Sequence, residues 1–435
     1  MAFLAVIESD QCHKLFETPV LLCYHPDNPV ILSKVFEITL ITMPKLSKSD
    51  IIAECYQRSI ALLKKNSHSG GVIAAARTAK SVDRNYASIF GRDSAICSIG
   101  MVASGDKKLI SHAKKGLLTL ARYQAPNGQI PKYVKPEKRE SDFWYSGCID
   151  ATLWWLYAVD NFDRAIPASR LKKKLEPRIA KALSWLFCQE HQGMFLVQQN
   201  EASDWADIMP RSGFVLYSNA LWYAVKKQYG IRTAAKTRHF FRHIFFPFDK
   251  SCSEHRRAKI LTEYVMSGAK QRDFYLSFVN FSFWGEDVDV YGNILACLFG
   301  IPTREKRELI VDRLLARRAN QPWPIRTLLS PIGRESRFWR PYMERHKQNL
   351  PYQYHNGGTW PYVAGFWILL LLKLGRNDLA REELERYAGA CKINNWEFNE
   401  WLHGKTGKPL GMAGQSWNAA MFIAAAEALK ERSAI

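Results

Sequence analysis

Polar and apolar positions repeat with helical spacing from about residue 48 onwards. Apolar residues recur three and four positions apart in about a dozen stretches, which are separated by loops containing Gly, Pro and aromatic residues. Stretches such as 150–162 and 364–375 are apolar on all sides, whereas 170–189 and 304–319 have one charged face. The alternation predicts an all-α domain in which paired antiparallel helices form two concentric layers, a helical toroid.

The first 43 residues differ from this pattern. They are β-branched and interrupted by Pro, which predicts an N-terminal extension with one or two extended segments, or none with stable structure. No Pro/Ser-rich linker divides residues 44–435, so we expect a single domain there.

The lack of a recognisable targeting signal and the pattern of cysteines predict a cytoplasmic protein without a membrane partner. The start lacks a basic segment and a small-residue cleavage site, and no apolar run reaches the roughly 18 residues of a spanning helix. The nine cysteines are odd in number and include no CxxC pair, which favours reduced thiols. Whether identical subunits associate stays open.

The chain is basic, with 61 Lys and Arg against 41 Asp and Glu, a net charge of +20. The densest basic runs, at 172–174 and 304–318, interleave bases with apolar residues at helical spacing. They therefore predict the solvated faces of amphipathic helices and no specific nucleic-acid partner, with only a weak, salt-sensitive affinity for polyanions.

Two carboxylates in aromatic, amide-rich loops are the strongest chemical signal. Asp207 lies in SDWADIMPRSG and Glu400 in NEWLHGKTGKPLGMAGQSW, in a chain with 14 Trp residues. Cleavage of a glycosidic bond needs one acid to protonate the leaving oxygen and a second to activate water or to attack, and flat rings supply surfaces for sugars. Burial beside Trp205 is expected to raise the pKa of Asp207, as a general acid requires, with Asp204 as the rival. Glu400 is then the base or, as an alternative, a nucleophile.

Other loop residues have polar or aromatic side chains suited to binding a sugar. Asp93 and Asp150 precede or open helices, where helix capping is the favoured explanation for each motif taken alone. In QYHNGGTWPY, hydrogen bonding to sugar hydroxyls competes with a simple tight turn. The candidates for substrate contact from these strings are Arg92, Asp93, Trp144, Asp150, Asp204, Arg211, His355, Asn356, Trp360, His403, Gln415 and Trp417.

Metal and cofactor chemistry lacks its usual motifs. His239 and His243 stand four apart with Cys252 and His255 downstream, but HFFRH lacks the Glu of a metalloprotease helix and the spacing fits no common zinc module. The sequence has no GxSxG, GxxxxGK[ST] or GxGxxG motif. We therefore expect neither a metal nor an organic cofactor.

The strings YHNGGTWP, HGKTG and QSW resemble the C-terminal part of the alkaline/neutral invertase family of glycoside hydrolases, and NYASIFGRDSA and DATLWW look like its N-terminal strings. SDWADIMPRSGFVLYSNALWYA is similar to glucosidase domains of glycogen debranching enzymes and to mannosylglycerate-type hydrolases of the same clan. The resemblance covers about residues 48–430.

This resemblance implies an (α/α)6 barrel, catalysis with inversion and no cofactor. It implies that Asp207 is the general acid and Glu400 the general base, in a pocket lined by other residues of the same strings. The substrate would be a small oligosaccharide or glucoside with an α-glucosidic bond, such as sucrose.

Departures from the family pattern leave alternatives for the substrate. The acid-bearing string reads DWADIMPRSG instead of MIDRRMGIHG, and FNEWLHG replaces WPEYYDG. Another small α-glucoside or an α-1,6 branch, as in an amylo-α-1,6-glucosidase, is therefore an alternative. A non-catalytic carbohydrate- or polyanion-binding toroid is the alternative of another class.

Overall fold

The computed structural model describes residues 48–145, 147–249, 255–345 and 347–433; the predicted extension at 1–43 lies outside them. In chain order the helices are α1 (Lys48–Lys65), α2 (Ala79–Asp83), α3 (Gly91–Ala103), α4 (Lys107–Arg122), α5 (Ile149–Ala165), α6 (Leu171–Gln189), α7 (Leu216–Gln228), α8 (Ala234–Phe245), α9 (Arg256–Gly268), α10 (Val290–Leu298), α11 (Arg304–Ala316), α12 (Pro341–Glu344), α13 (Pro361–Lys373), α14 (Asn377–Trp396) and α15 (Ser416–Ser433).

Six of these helices form a closed inner ring. Each packs against two neighbours in the order α3, α5, α7, α10, α13, α15 and back to α3. A second layer surrounds the ring: α1 packs on α15, α4 on α3, α6 on α5, α8 on α7, α11 on α10 and α14 on α13, while α9 packs on α8. This arrangement is an (α/α)6 barrel, so the predicted fold class is confirmed.

The two layers have the apolar patterns that the sequence indicates. Inner helices are buried nearly all round; in α13 every residue from Pro361 to Ile368 is buried. Outer helices bury one stripe, as in α6, where the buried positions are Leu171, Leu175, Ile179, Ala182 and Leu186. The basic residues of α6 and α11 lie on the opposite, largely exposed faces, as predicted.

Glycines let neighbouring inner helices approach closely on both sides of α15. A Cβ atom on Gly100 of α3 would lie 1.8 Å from the Ala420 carbonyl oxygen, and one on Gly365 of α13 would lie 2.7 Å from the Met421 Cβ. These helices are therefore in backbone contact, and a methyl group at either glycine would separate them.

The connections differ at the two ends of the barrel. The first five inner helices each lead to the next outer helix through a short turn, such as 104–106 or 374–376, whereas the returns to inner helices are long, such as 190–215 and 397–415. The long loops contain the strands β1 (Ser67–His68), β2 (Gly71–Val72), β3 (Ile89–Phe90), β4 (Tyr133–Lys135), β5 (Glu140–Asp142), β6 (Gln198–Gln199), β7 (Gly213–Val215), β8 (Phe278–Val279), β9 (Trp401–Leu402) and β10 (Pro409–Leu410).

All strand pairs are antiparallel. The strands pair as two three-stranded sheets, β3-β4-β5 and β6-β7-β8, and two hairpins, β1-β2 and β9-β10. The sheets tie together loops that are distant in sequence at the end of the barrel where the inner helices begin.

Two further observations concern the described part of the chain. None of its helices is long and apolar enough to cross a membrane. Its six cysteines, Cys55, Cys97, Cys148, Cys188, Cys297 and Cys391, are all unpaired thiols.

Candidate active site

A cavity of about 850 Å³ opens at the end of the barrel where the long loops lead into the inner helices. Its wall includes Arg92 and Asp93 from the start of α3, Trp360 just before α13 and Trp417 from the start of α15. Helix N-termini have partial positive charge, so this end of the ring favours negatively charged groups.

Both predicted catalytic acids line this cavity. Asp207 comes from the loop between α6 and α7, and Glu400 from the loop between α14 and α15. The fold thus brings together two carboxyl groups from different halves of the sequence. Asp204, the predicted rival of Asp207, does not line the cavity.

The Glu400 carboxyl is buried and held at both oxygens. The Tyr86 hydroxyl donates to Oε1 at 2.5 Å, and the Met412 N–H donates to Oε2 at 3.0 Å. Gly411, with φ of +81°, allows this contact, because a Cβ there would lie 2.4 Å from Oε2. Burial raises the pKa of Glu400 to about 7 although both hydrogen bonds favour the charged form.

The Asp207 carboxyl has an ionic partner. Lys132 Nζ lies 2.7 Å from Oδ2, and His355 Nδ1 lies 4.0 Å from Oδ1. Burial raises the pKa of Asp207, but the Lys132 ammonium and other nearby groups outweigh it and hold that pKa below its usual value. The predicted upward shift is therefore wrong for the unliganded protein, because Lys132, 75 residues away in sequence, neutralises the carboxylate.

Aromatic rings form one wall of the cavity. The His355 ring stacks on Trp360 with a centroid separation of 5.1 Å, and the Trp205 ring meets His355 edge-on at 4.9 Å. Burial lowers the pKa of His355 to about 3, so the imidazole is neutral at physiological pH. Within the described residues, Trp205 Nε1, Trp417 Nε1 and His355 Nδ1 have no hydrogen-bond partner. These three polar atoms are buried, so each is an unsatisfied polar group beneath the cavity surface.

Trp144 also lines the cavity, but Lys132 covers one face of its ring, with Nζ 3.1 Å from the centroid. Of the residues predicted to contact substrate, the cavity wall thus contains Arg92, Asp93, Trp144, His355, Trp360 and Trp417. Burial raises the pKa of Asp93 to about 6, and Arg92 opposes that shift.

Three predicted residues lie behind the wall in buried ion pairs. Arg211 Nη1 is 2.6 Å from Asp289 Oδ2, and its Nη2 is 3.4 Å from Asp204 Oδ1. Asp150 accepts from Arg92 Nη1 at 3.3 Å and from the Tyr217 hydroxyl at 3.0 Å. These pairs fix the loop of Asp207 and the start of α5, and of the paired residues Arg92 also reaches the cavity surface.

The other three predicted residues outside the wall have structural surroundings. Asn356 is fully buried and bonds both backbone groups of Ile332. His403 Nδ1 accepts the N–H groups of Lys405 and Thr406 in a turn. Gln415 is fully buried beneath the start of α15, and its amide atoms have no hydrogen-bond partner within the described residues.

Tyr86, Lys132 and Tyr354 are among the polar residues of the wall that sequence reasoning did not single out. Tyr86 stands in NYASIFGRDSA and Tyr354 in QYHNGGTWPY, so both lie within strings that carried other candidates. Lys132 lies in GQIPKYVKPEK, which looks like a solvated turn, and nothing local distinguishes it from other lysines.

The described His residues between 239 and 255 do not form a metal site. His243 Nδ1 faces the His239 carbonyl oxygen at 2.8 Å within α8, and Cys252 lies outside the described residues. Among residues whose placement is described, no group of three or more His, Cys, Asp or Glu side chains could hold a metal ion.

Sequence comparison identifies the C-terminal third of the chain. The model of the alkaline and neutral invertase family matches residues 279–432, which include Glu400 but not Asp207. The mitochondrial neutral/alkaline invertase 1 of Oryza sativa subsp. japonica is 26% identical over 137 residues, which are 30% of this chain and 21% of that protein. The probable alkaline/neutral invertase D of Arabidopsis thaliana is 26% identical over 145 residues, 33% of this chain and 27% of that protein.

Solved structures share the fold over most of the chain. The mannosylglycerate hydrolase of Thermus thermophilus, in complex with Tris, has a TM-score of 0.58 at 16% identity, covering 85% of this chain and 99% of that one. A bacterial glucoamylase complexed with acarbose has a TM-score of 0.53 at 12% identity, covering 87% and 55%. The predicted resemblance is therefore confirmed: the C-terminal part of the chain is related at low identity to alkaline and neutral invertases, and the barrel has the fold of (α/α)6 glycosidases.

Proposed function

We propose that this protein is an inverting glycoside hydrolase that cleaves the α-glucosidic bond of a small sugar such as sucrose. The observation that carries the proposal is the convergence of Asp207 and Glu400 on one aromatic-walled cavity. Hydrolysis of a glycoside needs two carboxyl groups for the acid–base chemistry, and aromatic rings beside them provide surfaces on which a sugar can stack. The invertase-like sequence around Glu400 supports the same chemistry.

In this proposal Asp207 protonates the leaving oxygen and Glu400 activates the water. The surroundings of the two acids favour the reverse proton distribution, because the pKa of Asp207 is lowered and that of Glu400 is raised to about 7. Between these two pKa values the pair holds one proton, and that is the protonation state that acid–base hydrolysis uses. Substrate entry would then shift the proton to Asp207.

The cavity size favours a small substrate, since about 850 Å³ lies within the range of roughly 300–1,000 Å³ of small-molecule sites. We propose a cytoplasmic location, consistent with the unpaired thiols of the described cysteines.

The experiment is proton NMR of the protein with sucrose, trehalose, isomaltose and a branched limit dextrin, recorded before the released sugar mutarotates. β-Glucose as the first product of one α-glucoside would support inversion and identify the substrate. α-Glucose first would contradict inversion. Glucose from the dextrin but not from sucrose would indicate an amylo-α-1,6-glucosidase.

Variants at the two acids test their roles. D207N and E400Q are expected to lower kcat by at least about 10²-fold with unchanged circular dichroism, because each removes one proton-transfer group. D273N, at an ion pair between Asp273 and Arg317 on the outer surface, is the matched control and should retain activity. Full activity in D207N or E400Q would refute the assignment, and sugar binding without product in the wild type would favour the non-catalytic alternative.

A further inference from the structure

Lys132 connects two loops of the cavity wall. Its backbone is fixed on both sides, because the Gly91 N–H donates to its carbonyl oxygen at 2.8 Å and its own N–H donates to the Asp142 carbonyl oxygen at 2.7 Å. Its side chain is 7% exposed and reaches the loop of Asp207, where Nζ lies 2.7 Å from Oδ2. A lysine that is nearly buried in this way is held by its partners and is not a solvated surface charge.

Trp144 holds the ammonium group from the other side. Its ring centroid lies 3.1 Å from Lys132 Nζ, and its indole N–H donates to the Ala202 carbonyl oxygen at 3.0 Å. Trp144 also has a left-handed backbone conformation, with φ of +65°, which non-glycine residues seldom adopt without a surrounding constraint. The ammonium therefore lies between the Trp144 ring and the Asp207 carboxylate. The ring is itself hydrogen-bonded to Ala202, which belongs to the same loop as Asp207.

Other charged groups near Asp207 do not replace Lys132. Arg92 is engaged by Asp93 and Asp150, and His355 is a neutral imidazole 4.0 Å away. The remaining titratable neighbours, Glu400 and Tyr354, supply no positive charge. Among the described residues, Lys132 is thus the cation in direct contact with Asp207; it binds Oδ2, whereas Oδ1 lies 4.0 Å from the neutral His355 Nδ1.

We propose that Lys132 is a positioning residue of this site: it binds Oδ2 of Asp207, fixes the orientation and charge of that carboxyl, and leaves Oδ1 to face the glycosidic oxygen. The inference rests on the proposed hydrolase function. It adds a residue that touches neither of the reacting bonds and acts through Asp207.

The first test compares K132M and K132R with the wild type by the pH dependence of kcat and kcat/KM. The active state holds one proton on the pair Asp207 and Glu400. At low pH a second proton binds to this pair, so the activity is expected to fall. Loss of the ammonium in K132M should move this acidic limb up by about 1 pH unit or more, and loss of orientation should lower kcat about 10- to 100-fold with a smaller effect on KM. K132R keeps the charge and should keep the limb.

The control is K135M, the same substitution three residues along, where Lys135 bonds Asn85 and does not line the cavity. Its profile should match the wild type. An acidic limb and kcat in K132M equal to those of K135M would overturn the proposal.

A second test needs no substrate, so it separates this inference from the proposed function. Melting temperatures of K132M, D207N and K132M/D207N form a double-mutant cycle. K132M alone leaves a partly buried carboxylate, 19% exposed, without its cation and should melt lower at pH 8 than at pH 5, whereas the double variant should recover stability at pH 8. If K132M alone does not fold, a folded double variant is the expected result. Additive effects would overturn the inference even in an active enzyme; coupling in a protein that cleaves no glycoside would leave only the hydrolase proposal refuted.

Discussion

Tyr86 and Lys132 place the carboxyl groups of Glu400 and Asp207 in opposite electrostatic environments. A neutral phenol hydrogen-bonds Glu400, whose pKa burial raises, whereas a cation neutralises Asp207. Sequence reasoning found both acids, since the surrounding Trp, Gly and amide residues are local signals. It could not find the partners that determine the pKa values, because Tyr86 and Lys132 reach these acids across 314 and 75 residues.

The pH dependence of the wild type and of Y86F tests this arrangement. Above the Glu400 pKa of about 7 the pair loses its single proton, so kcat/KM should fall as the pH rises through about 7. The Tyr86 hydrogen bond favours ionised Glu400, so its removal in Y86F raises the pKa and should move this alkaline limb to higher pH. Y123F, at the end of α4, is the matched control with an unchanged limb. A limb that stays in place or moves to lower pH in Y86F would contradict the hydrogen bond's role.

At the scale of elements, apolar periodicity was sufficient to predict most of the ring and its outer layer. Four helices, α2, α8, α9 and α12, lie outside the predicted helical stretches; α8 is rich in aromatic and basic residues that obscure its apolar stripe, of which Phe241, Ile244 and Phe245 are buried. Periodicity also could not show which loops meet, because the strands that join them are only two or three residues long. The loop contacts that put Lys132 beside Asp207 follow from closure of the ring.

Close packing of α3 against α15 makes Gly100 sensitive to one added carbon. In G100A the new Cβ would lie within 1.8 Å of the Ala420 carbonyl oxygen, so the helices must separate, and we expect a loss of about 1–3 kcal/mol in the free energy of unfolding. A103S adds one atom at an exposed position of the same helix and should change stability by less than about 0.5 kcal/mol. Denaturant unfolding of the two variants measures the difference; equal stability would show that α3 can shift at no cost.

Across the whole molecule, the net charge of +20 is spread over the exposed faces of outer helices such as α6 and α11. The acids of the cavity lie among loops at one end of the barrel, so the basic surface and the candidate site are different parts of the protein. A delocalised charge attracts polyanions over long distances but selects none of them.

Chromatography on a polyanionic resin tests this interpretation. The protein should be retained at about 0.05 M salt and released by about 0.5 M, where screening shortens the Debye length to below about 5 Å. E400Q should elute with the wild type, because binding does not involve the cavity. Retention at about 1 M salt, or a clear shift for E400Q, would indicate a specific polyanion site and favour the non-catalytic alternative.

The unequal loops at the two ends of the barrel separate what holds this protein together from what it recognises. The close glycine contacts of the helix ring lie outside the cavity wall, which is built mostly from the long returns, with Arg92, Asp93 and Trp417 added from the first turns of two ring helices. Such a scaffold allows its long returns to diverge independently while the ring is retained. If the proposed function holds, exchanging single returns is therefore the direct route to altered selectivity in this chain.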